Sequence, residues 1–222
     1  MASIRYLGHS GFEISMGDTV SYIDVFTGDR IGTNVRRIPN VLDPRSVRKA
    51  DFVFITHEHE PHCDVNAVKT IADRNFASVV GPKQCLAKID VNERLKVDVS
   101  VGDKFSLKGL DIEVVKAVHP QSVYPVGYVL RKGGLSIYHA GDTYAFAGMA
   151  AIKADVVILP IGGAYTMDPI AANTACKEMR PKLAIPMHYG TYERIEQDPH
   201  EFAVDLGRTK AALMKPGQTL EI

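Results

Sequence analysis

An apolar run that ends in a cluster of histidines decides the fold of this chain. It is the stretch Asp51–His62, with the sequence DFVFITHEHEPH. Its first six residues are almost continuously apolar, which is typical of a strand buried on both faces. In an extended chain, residues i and i+2 point to the same face, so His57 and His59 can turn both imidazoles toward one ion. His62 lies beyond a turn and can reach a second position, so the stretch predicts a metal site at the end of a buried strand.

Histidine side chains predict that a metal binds here, but they do not identify which metal. Neutral imidazole is the commonest protein ligand for zinc, and it also binds manganese, nickel and iron. We therefore expect one or two divalent ions, with zinc as the first choice and manganese, nickel or iron as alternatives.

Strand and helix patterns alternate on both sides of this stretch. Hydrophobic patterning predicts strands followed by a helix in each half of the chain, and a β meander occupies the middle. The predicted strands are Ile4–Leu7, Gly11–Ser15, Val20–Phe26, Asp51–Thr56, Ser78–Val80, Asp98–Val101, Lys104–Leu107, Leu110–Val118, Gly127–Arg131, Leu135–Tyr138, Asp155–Pro160, Leu183–Pro186 and a final segment near Ala212–Ile222. The predicted helices are a short one opened by Pro44, then Val65–Arg74, Lys83–Lys88, Pro169–Met179 and one from about His200. We expect one α/β domain over residues 1–222, a layered sandwich with helices outside two sheets.

Three more predicted strands end in a residue that could bind a metal. They lead into His119, into Asp142 and into His188. In layered α/β proteins, functional groups collect at the carboxyl ends of strands. The ends of four strands could therefore converge on one cleft.

At this point the sequence resembles a known family. The string Thr56-His57-x-His59-x-x-His62, followed by His119, by Gly141-Asp142-Thr143 and by His188, is similar to the metallo-β-lactamase superfamily. Within this superfamily, the sequence most resembles the branch of small metal-dependent hydrolases related to L-ascorbate-6-phosphate lactonase. That branch is also similar at Tyr6–Ser10, Tyr138–Thr143, Leu159–Gly163 and Ile185–Thr191, so the resemblance covers nearly the whole chain.

The resemblance implies a four-layer αββα sandwich with a two-metal cleft at one edge. It assigns His57, His59 and His119 to the first ion and His62 and His188 to the second, with Asp142 bridging both. Two neighbouring ions can activate water and stabilise the charge that develops when it attacks a substrate. Asp142 and His188 are accordingly the predicted catalytic residues.

One residue departs from the family pattern. The family has an aspartate immediately before the third histidine, where this chain has Pro61, which carries no ligating atom. Three outcomes stay open: a single ion at the first site, a weakened second site, or replacement of the aspartate by Asp64 or Glu60. The N-cap of the following helix is the competing role for Asp64, and Glu60 can simply face solvent.

Other polar residues fall close to the expected cleft. His9 and His139 are candidates for substrate contact or for orienting a metal ligand, and packing inside the core is an equal alternative for each. Tyr165, Thr166 and Tyr189 lie in loops beside the cleft, where their hydroxyl groups could bind a polar substrate or only close turns.

Composition and charge exclude several classes of protein. The 222 residues are 45% hydrophobic and 23% charged, and 26 basic residues balance 26 acidic ones, so we expect neither disorder nor a nucleic-acid partner. The amino-terminal residues lack a secretory pattern and no apolar run is long enough for a membrane span, so we expect a cytoplasmic protein without a membrane partner. The relatives in this branch commonly form homo-oligomers, which the resemblance extends to this chain.

The sequence therefore predicts a metal-dependent hydrolase that uses metal-activated water on an ester, lactone or phosphodiester bond. Its expected partner is a small molecule, which could carry a phosphate. The alternative is a protein that keeps the fold and binds metal without catalysis, as a binding or assembly subunit. Pro61 is the feature that favours this alternative.

Overall fold

Two seven-stranded sheets and four α-helices make up the computed structural model, which describes residues 1–222. The strands are β1 (Ala2–Gly8), β2 (Gly11–Met16), β3 (Thr19–Ile23), β4 (Arg30–Ile31), β5 (Asn34–Val35), β6 (Phe52–Phe54), β7 (Ser78–Gly81), β8 (Lys96–Asp98), β9 (Lys104–Leu107), β10 (Leu110–Lys116), β11 (Val126–Lys132), β12 (Leu135–His139), β13 (Val156–Pro160), β14 (Leu183–Met187), β15 (Lys210–Ala211) and β16 (Thr219–Glu221). The α-helices are α1 (Val65–Asn75), α2 (Lys83–Leu86), α3 (Pro169–Met179) and α4 (Pro199–Ala203).

The two sheets repeat one plan. The first has the strand order β16-β1-β2-β3-β6-β7-β8, and the second has the order β15-β14-β13-β12-β11-β10-β9. In each sheet, the first strands along the chain form an antiparallel meander. The next strands alternate with helices and are parallel. The two-stranded hairpin β4–β5 stands apart from both sheets.

Alternation of side chains along the strands builds three layers of core. In β6, Phe52 and Phe54 point into the core between the sheets, whereas Val53 packs into an outer core with α1 and α2. In β13, Ile158 points into the core between the sheets and Val157 packs against α3. Strands buried on both faces explain the nearly continuous apolar runs in the sequence. The arrangement is the predicted αββα sandwich.

Capping residues fix where the two long helices begin. Asp64 accepts a hydrogen bond from the backbone N–H of Ala67, and Asp168 does the same for Ala171. Such caps satisfy backbone donors that the first turn of a helix leaves free. No helix has the length and apolar character that crossing a lipid bilayer requires.

Two predicted elements are wrong. Pro44 opens a single turn and no helix, because Asp43 already accepts hydrogen bonds from the backbone N–H groups of Arg45 and Ser46 and the chain then leaves regular structure. The strand predicted at Asp98–Val101 ends at Asp98, since the carboxylate of Asp103 accepts from the Ser100 N–H and closes a turn there.

Candidate metal centre

The candidate ligands lie at the carboxyl ends of strands from both sheets. In the first sheet, β1, β3 and β6 run in one direction, since β2 is antiparallel to β1 and to β3 while β6 is parallel to β3. In the second sheet, β10, β12 and β14 share a direction for the same reason. The residues that follow these six strands therefore meet at one edge of the sandwich: His9, Asp24, His57, His119, Asp142 and His188.

The first cluster consists of His57, His59 and His119. The Nδ1 atom of His59 lies 3.1 Å from Nε2 of His57 and 3.2 Å from Nε2 of His119. His57 and His119 are buried, and His59 is half-buried at the cleft. Each residue contributes one ring nitrogen, and the three nitrogens converge.

Hydrogen bonds at the opposite ring nitrogens decide which atoms carry the protons. His59 donates from Nε2 to the carbonyl oxygen of Gln121 (3.2 Å), and His119 donates from Nδ1 to the carbonyl oxygen of Tyr165 (3.1 Å). Thr56 donates its hydroxyl proton to Asp24, so Nδ1 of His57 donates to the threonine oxygen at 3.0 Å. A neutral imidazole has one N–H, which leaves a lone pair on each converging nitrogen.

This arrangement fits a cation. Three lone pairs at 3.1 to 3.2 Å have no proton between them and repel one another. A metal ion turns that repulsion into coordination, and hydrogen bonds from the remote ring nitrogens are the usual support for histidine ligands. The three histidines of the first cluster therefore fit a bound metal ion.

The second cluster consists of His62, His188 and Asp142. Oδ2 of Asp142 lies 3.1 Å from Nε2 of His188, 3.3 Å from Nε2 of His62 and 4.0 Å from Nε2 of His57. Oδ1 of Asp142 is buried and has no hydrogen-bond partner. The carboxylate thus stands between the two clusters, with one oxygen unsatisfied.

Asp24 fixes the orientation of His62, and no sequence motif marks this residue. Its carboxylate accepts a 2.7 Å hydrogen bond from Nδ1 of His62, and it also accepts from the backbone and hydroxyl of Thr56. Nε2 of His62 therefore faces Asp142. Asp24 follows β3 in a left-handed conformation (φ 47°) and is fully buried.

Burial and neighbouring charges set the protonation of the centre. Burial lowers the pKa of His57 well below the usual value and lowers that of His119, so both stay neutral with a free lone pair. Burial also lowers the pKa of His62, but the carboxylates of Asp142 and Asp24 outweigh it and raise the pKa to about 10. Although burial opposes its ionisation, neighbouring His188 and His62 hold the pKa of Asp142 well below its usual range. The buried carboxylates of Asp24 and Asp142 therefore favour a positive charge at His62. They would favour a bound metal ion for the same reason.

Neither acidic neighbour of Pro61 is directed at the second cluster. Asp64 accepts hydrogen bonds from the N–H and hydroxyl of Thr27 and caps α1, so its two oxygens are occupied elsewhere. Glu60 is exposed, and Pro61 is buried against the cleft. The geometry favours the N-cap role of Asp64 and does not support it as the substitute ligand.

The predicted outer residues separate into two groups. Tyr165 lines the cleft, and so does His9, whose Nδ1 lies 3.1 Å from the hydroxyl oxygen of Thr191. His139 does not reach the cleft, because one ring nitrogen meets the Ser10 carbonyl and the other the Gly141 N–H. Thr166 closes a turn through the Gly162 N–H, and Tyr189 packs against an outer core. These three residues are structural in this arrangement.

The mouth of the cleft brings in residues that the sequence did not single out. They come from the β4–β5 hairpin, from the loop after His119 and from the 3₁₀ turn at Glu193–Ile195: Ile31, Asn34, Gln121, Tyr192, Arg194 and Ile195. All of them belong to loops or short turns, where periodicity carries no signal.

Comparison with known proteins places the chain among metal-dependent enzymes. Residues 3–188 match the family model described as the β-lactamase superfamily domain. A UPF0173 metal-dependent hydrolase from Opitutus terrae is 33% identical over an alignment of 236 positions that covers 99% of each chain. One from Staphylothermus marinus is 35% identical over an alignment of 232 positions that covers 99% of this chain and 98% of the relative. The solved structure of a metallo hydrolase from Ignicoccus hospitalis is similar with a TM-score of 0.84 at 31% identity, covering 100% of this chain and 99% of the other.

Proposed function

Since this chain belongs to the β-lactamase superfamily, we propose that it is a metal-dependent hydrolase that cleaves an ester, lactone or phosphodiester bond in a small acidic molecule. The observation that carries the proposal is the convergence of three unprotonated imidazole nitrogens beside a half-satisfied carboxylate. The hydrolase names of relatives that match over nearly the whole chain support the same activity.

The residues of the two clusters would hold and orient the catalytic ions. His57, His59 and His119 would bind the first ion, and His62 and His188 would bind the second, with Asp142 shared. Bound divalent ions, of which zinc suits these ligands best, supply Lewis-acid polarisation and lower the pKa of a water molecule. Asp24 keeps the His62 ring turned so that Nε2 faces the cleft.

The attacking group is water and not a side chain. Among the residues lining the cleft there is no serine, threonine, cysteine or lysine. Those are the usual side-chain nucleophiles of hydrolases that form a covalent intermediate with the substrate. The cleft therefore favours direct attack by water on the substrate.

The free charge of Arg194 favours a substrate that carries an acidic group. Its guanidinium carbon lies 4.7 Å from the centre of the Tyr165 ring at the wall of the cleft. The acidic residues near it in sequence are both engaged by Arg37, at 2.9 Å for Glu193 and 2.8 Å for Glu196. Arg194 itself forms no salt bridge, so its charge is free for a carboxylate or phosphate of the substrate.

Metal analysis combined with hydrolysis assays tests the function. We expect protein loaded with zinc or manganese to hydrolyse some members of a panel of nitrophenyl esters, lactones and bis(4-nitrophenyl) phosphate. His57→Ala and His59→Ala should abolish turnover, while His200→Ala, at an exposed position, should leave it unchanged. A chain that binds metal but cleaves none of the panel would favour the binding or assembly subunit that Pro61 suggests, and undiminished turnover in His57→Ala would overturn the mechanism.

A matched pair of substrates tests the role of Arg194. Mono(4-nitrophenyl) glutarate carries a free carboxylate, and its methyl ester is neutral but otherwise the same. We expect Arg194→Gln to raise KM for the acid about ten-fold and to leave the KM of the methyl ester unchanged. Arg208→Gln, at an exposed arginine outside the cleft, is the control. Equal effects on both substrates would refute recognition of an acidic group.

A further inference from the structure

His9 has a buried ring nitrogen that no protein atom satisfies. Its Nδ1 pairs with the hydroxyl of Thr191 at 3.1 Å, whereas Nε2 is buried and has no hydrogen-bond partner. In a neutral imidazole whose Nδ1 donates to the threonine oxygen, Nε2 carries a lone pair, and leaving such an atom unpaired in the interior costs free energy.

The His9 ring lies beside the second cluster. Its centre is 4.3 Å from that of His188 and 5.5 Å from that of His62. One ring nitrogen from each of the three histidines lies within 4.8 Å of the others. All three side chains are buried and line the cleft.

The backbone also holds His9 and His188 against each other. The N–H of His188 donates to the carbonyl oxygen of His9 at 2.8 Å. Both residues adopt left-handed conformations, with φ of 58° and 59°, which are strained for residues other than glycine. Strain of this kind persists where the surrounding structure enforces it and is concentrated at functional sites.

The second cluster lacks the carboxylate that the family pattern has before the third histidine. Pro61 contributes no ligating atom, Glu60 is exposed, and Asp64 is occupied by Thr27 and by the first turn of α1. Without another donor, the second ion would have only His62, His188 and the shared Asp142.

We propose that His9 is a protein ligand of the second metal ion, and that its Nε2 replaces the carboxylate that Pro61 does not provide. This inference rests on the metal centre of the proposed function, although it concerns binding and not turnover. The ligand set becomes three imidazoles and one carboxylate. Imidazole suits zinc, nickel and iron, whereas carboxylate-rich sets suit manganese and magnesium.

Metal stoichiometry tests the proposal without relying on activity. The chain is equilibrated with zinc, passed through a desalting column and analysed for bound metal, and the two dissociation constants are measured by calorimetry. We expect two ions per chain in the wild type. In His9→Ala we expect an unchanged first site and a second site weakened by more than about 100-fold, so that one ion remains after desalting.

A second variant separates ligation from damage to the fold. In the double variant His9→Ala, Pro61→Asp, the new carboxylate stands where the metallo-β-lactamase pattern has its aspartate, so we expect the second ion to return. His139→Gln is the control, because His139 is equally buried but binds only backbone groups, and it should keep two ions. Circular dichroism of each variant verifies folding.

Three results would overturn the proposal. They are a wild-type chain that binds a single ion, a His9→Ala variant that keeps two ions with unchanged affinity, and a double variant that folds but does not recover the second ion. If the wild type binds two ions, His9→Ala binds one and no substrate is cleaved, the proposed function fails and the ligand assignment stands.

Discussion

Asp24 shows how one hydrogen bond can select the tautomer of a candidate metal ligand. Its carboxylate accepts from Nδ1 of His62, which leaves Nε2 turned toward Asp142. An ionised carboxylate only accepts hydrogen bonds, so the proton of a neutral His62 must sit on Nδ1. The lone pair is then on the nitrogen that faces the cleft.

Substituting Asp24 by asparagine should move the proton of neutral His62 from Nδ1 to Nε2. The amide oxygen can still accept from the Thr56 N–H, but the NH₂ group then faces His62 and favours the tautomer protonated at Nε2. We expect Asp24→Asn to weaken the second ion about 10- to 100-fold and to leave the first site nearly unchanged. Calorimetric titration with zinc measures both, and Asp51→Asn, at a carboxylate that serves the Val20 N–H, is the control. Equal affinities in Asp24→Asn and the wild type would contradict this role.

The sequence predicted the histidines of the site but not the residues that orient them. His57, His59, His62, His119 and His188 stand in ordered motifs beside predicted strands, so their convergence could be anticipated. Asp24 and Thr191 act through contacts between segments far apart in the chain, and no local pattern marks such contacts. Pro61 was visible as a missing carboxylate, and His9 was a candidate for substrate contact or for orienting a ligand, but its unpaired Nε2 became apparent only in the structure.

Elements with clear periodicity were predicted well, and those governed by turn chemistry were not. The predicted helix Pro169–Met179 is confirmed, and the helix predicted at Val65–Arg74 ends one residue later. The β-branched residues Val99 and Val101 favoured a strand, but the carboxylate of Asp103 closes a turn across them. The β4–β5 hairpin lies in a segment for which no strand or helix was predicted, since two-residue strands leave no periodic signal.

Helix α1 provides a test of Asp64 as a cap. Removing an N-cap carboxylate lowers the free energy of unfolding by about 0.5–2 kcal/mol, and Asp64→Ala also removes the hydrogen bonds to Thr27. We expect a loss of about 2 kcal/mol in urea unfolding and unchanged metal content. Asp168→Ala, at the cap of α3, is the matched control. Loss of one bound ion in Asp64→Ala alone would restore the substitute-ligand interpretation.

At the level of the whole molecule, the candidate metal centre lies between the two sheets. Its residues follow β1, β3 and β6 of the first sheet and β10, β12 and β14 of the second. Ions bound there would link the halves of the sandwich at one edge, while the apolar core between the sheets links them elsewhere. An ion that binds only the native state stabilises that state by mass action.

Metal removal should therefore lower thermal stability. Free zinc at about 1,000 times its Kd stabilises a one-site protein by about 4 kcal/mol, which for a domain of this size corresponds to a rise in Tm of about 10 °C. We expect prolonged dialysis against a chelator to lower Tm by at least this amount and added zinc to restore it. Scanning calorimetry of His57→Ala, with its first site removed, should show a smaller response. If metal removal leaves the Tm of the wild type unchanged, the native state does not contain a bound metal centre.

Anomalous diffraction from crystals grown with zinc is the sharpest test of the metal centre, because it counts and locates the ions independently of any substrate. We expect two peaks at the edge of the sandwich. One should lie among His57, His59 and His119, and the other among His9, His62 and His188, with Asp142 between them. No peak at this edge, or peaks that lie only elsewhere on the surface, would contradict it.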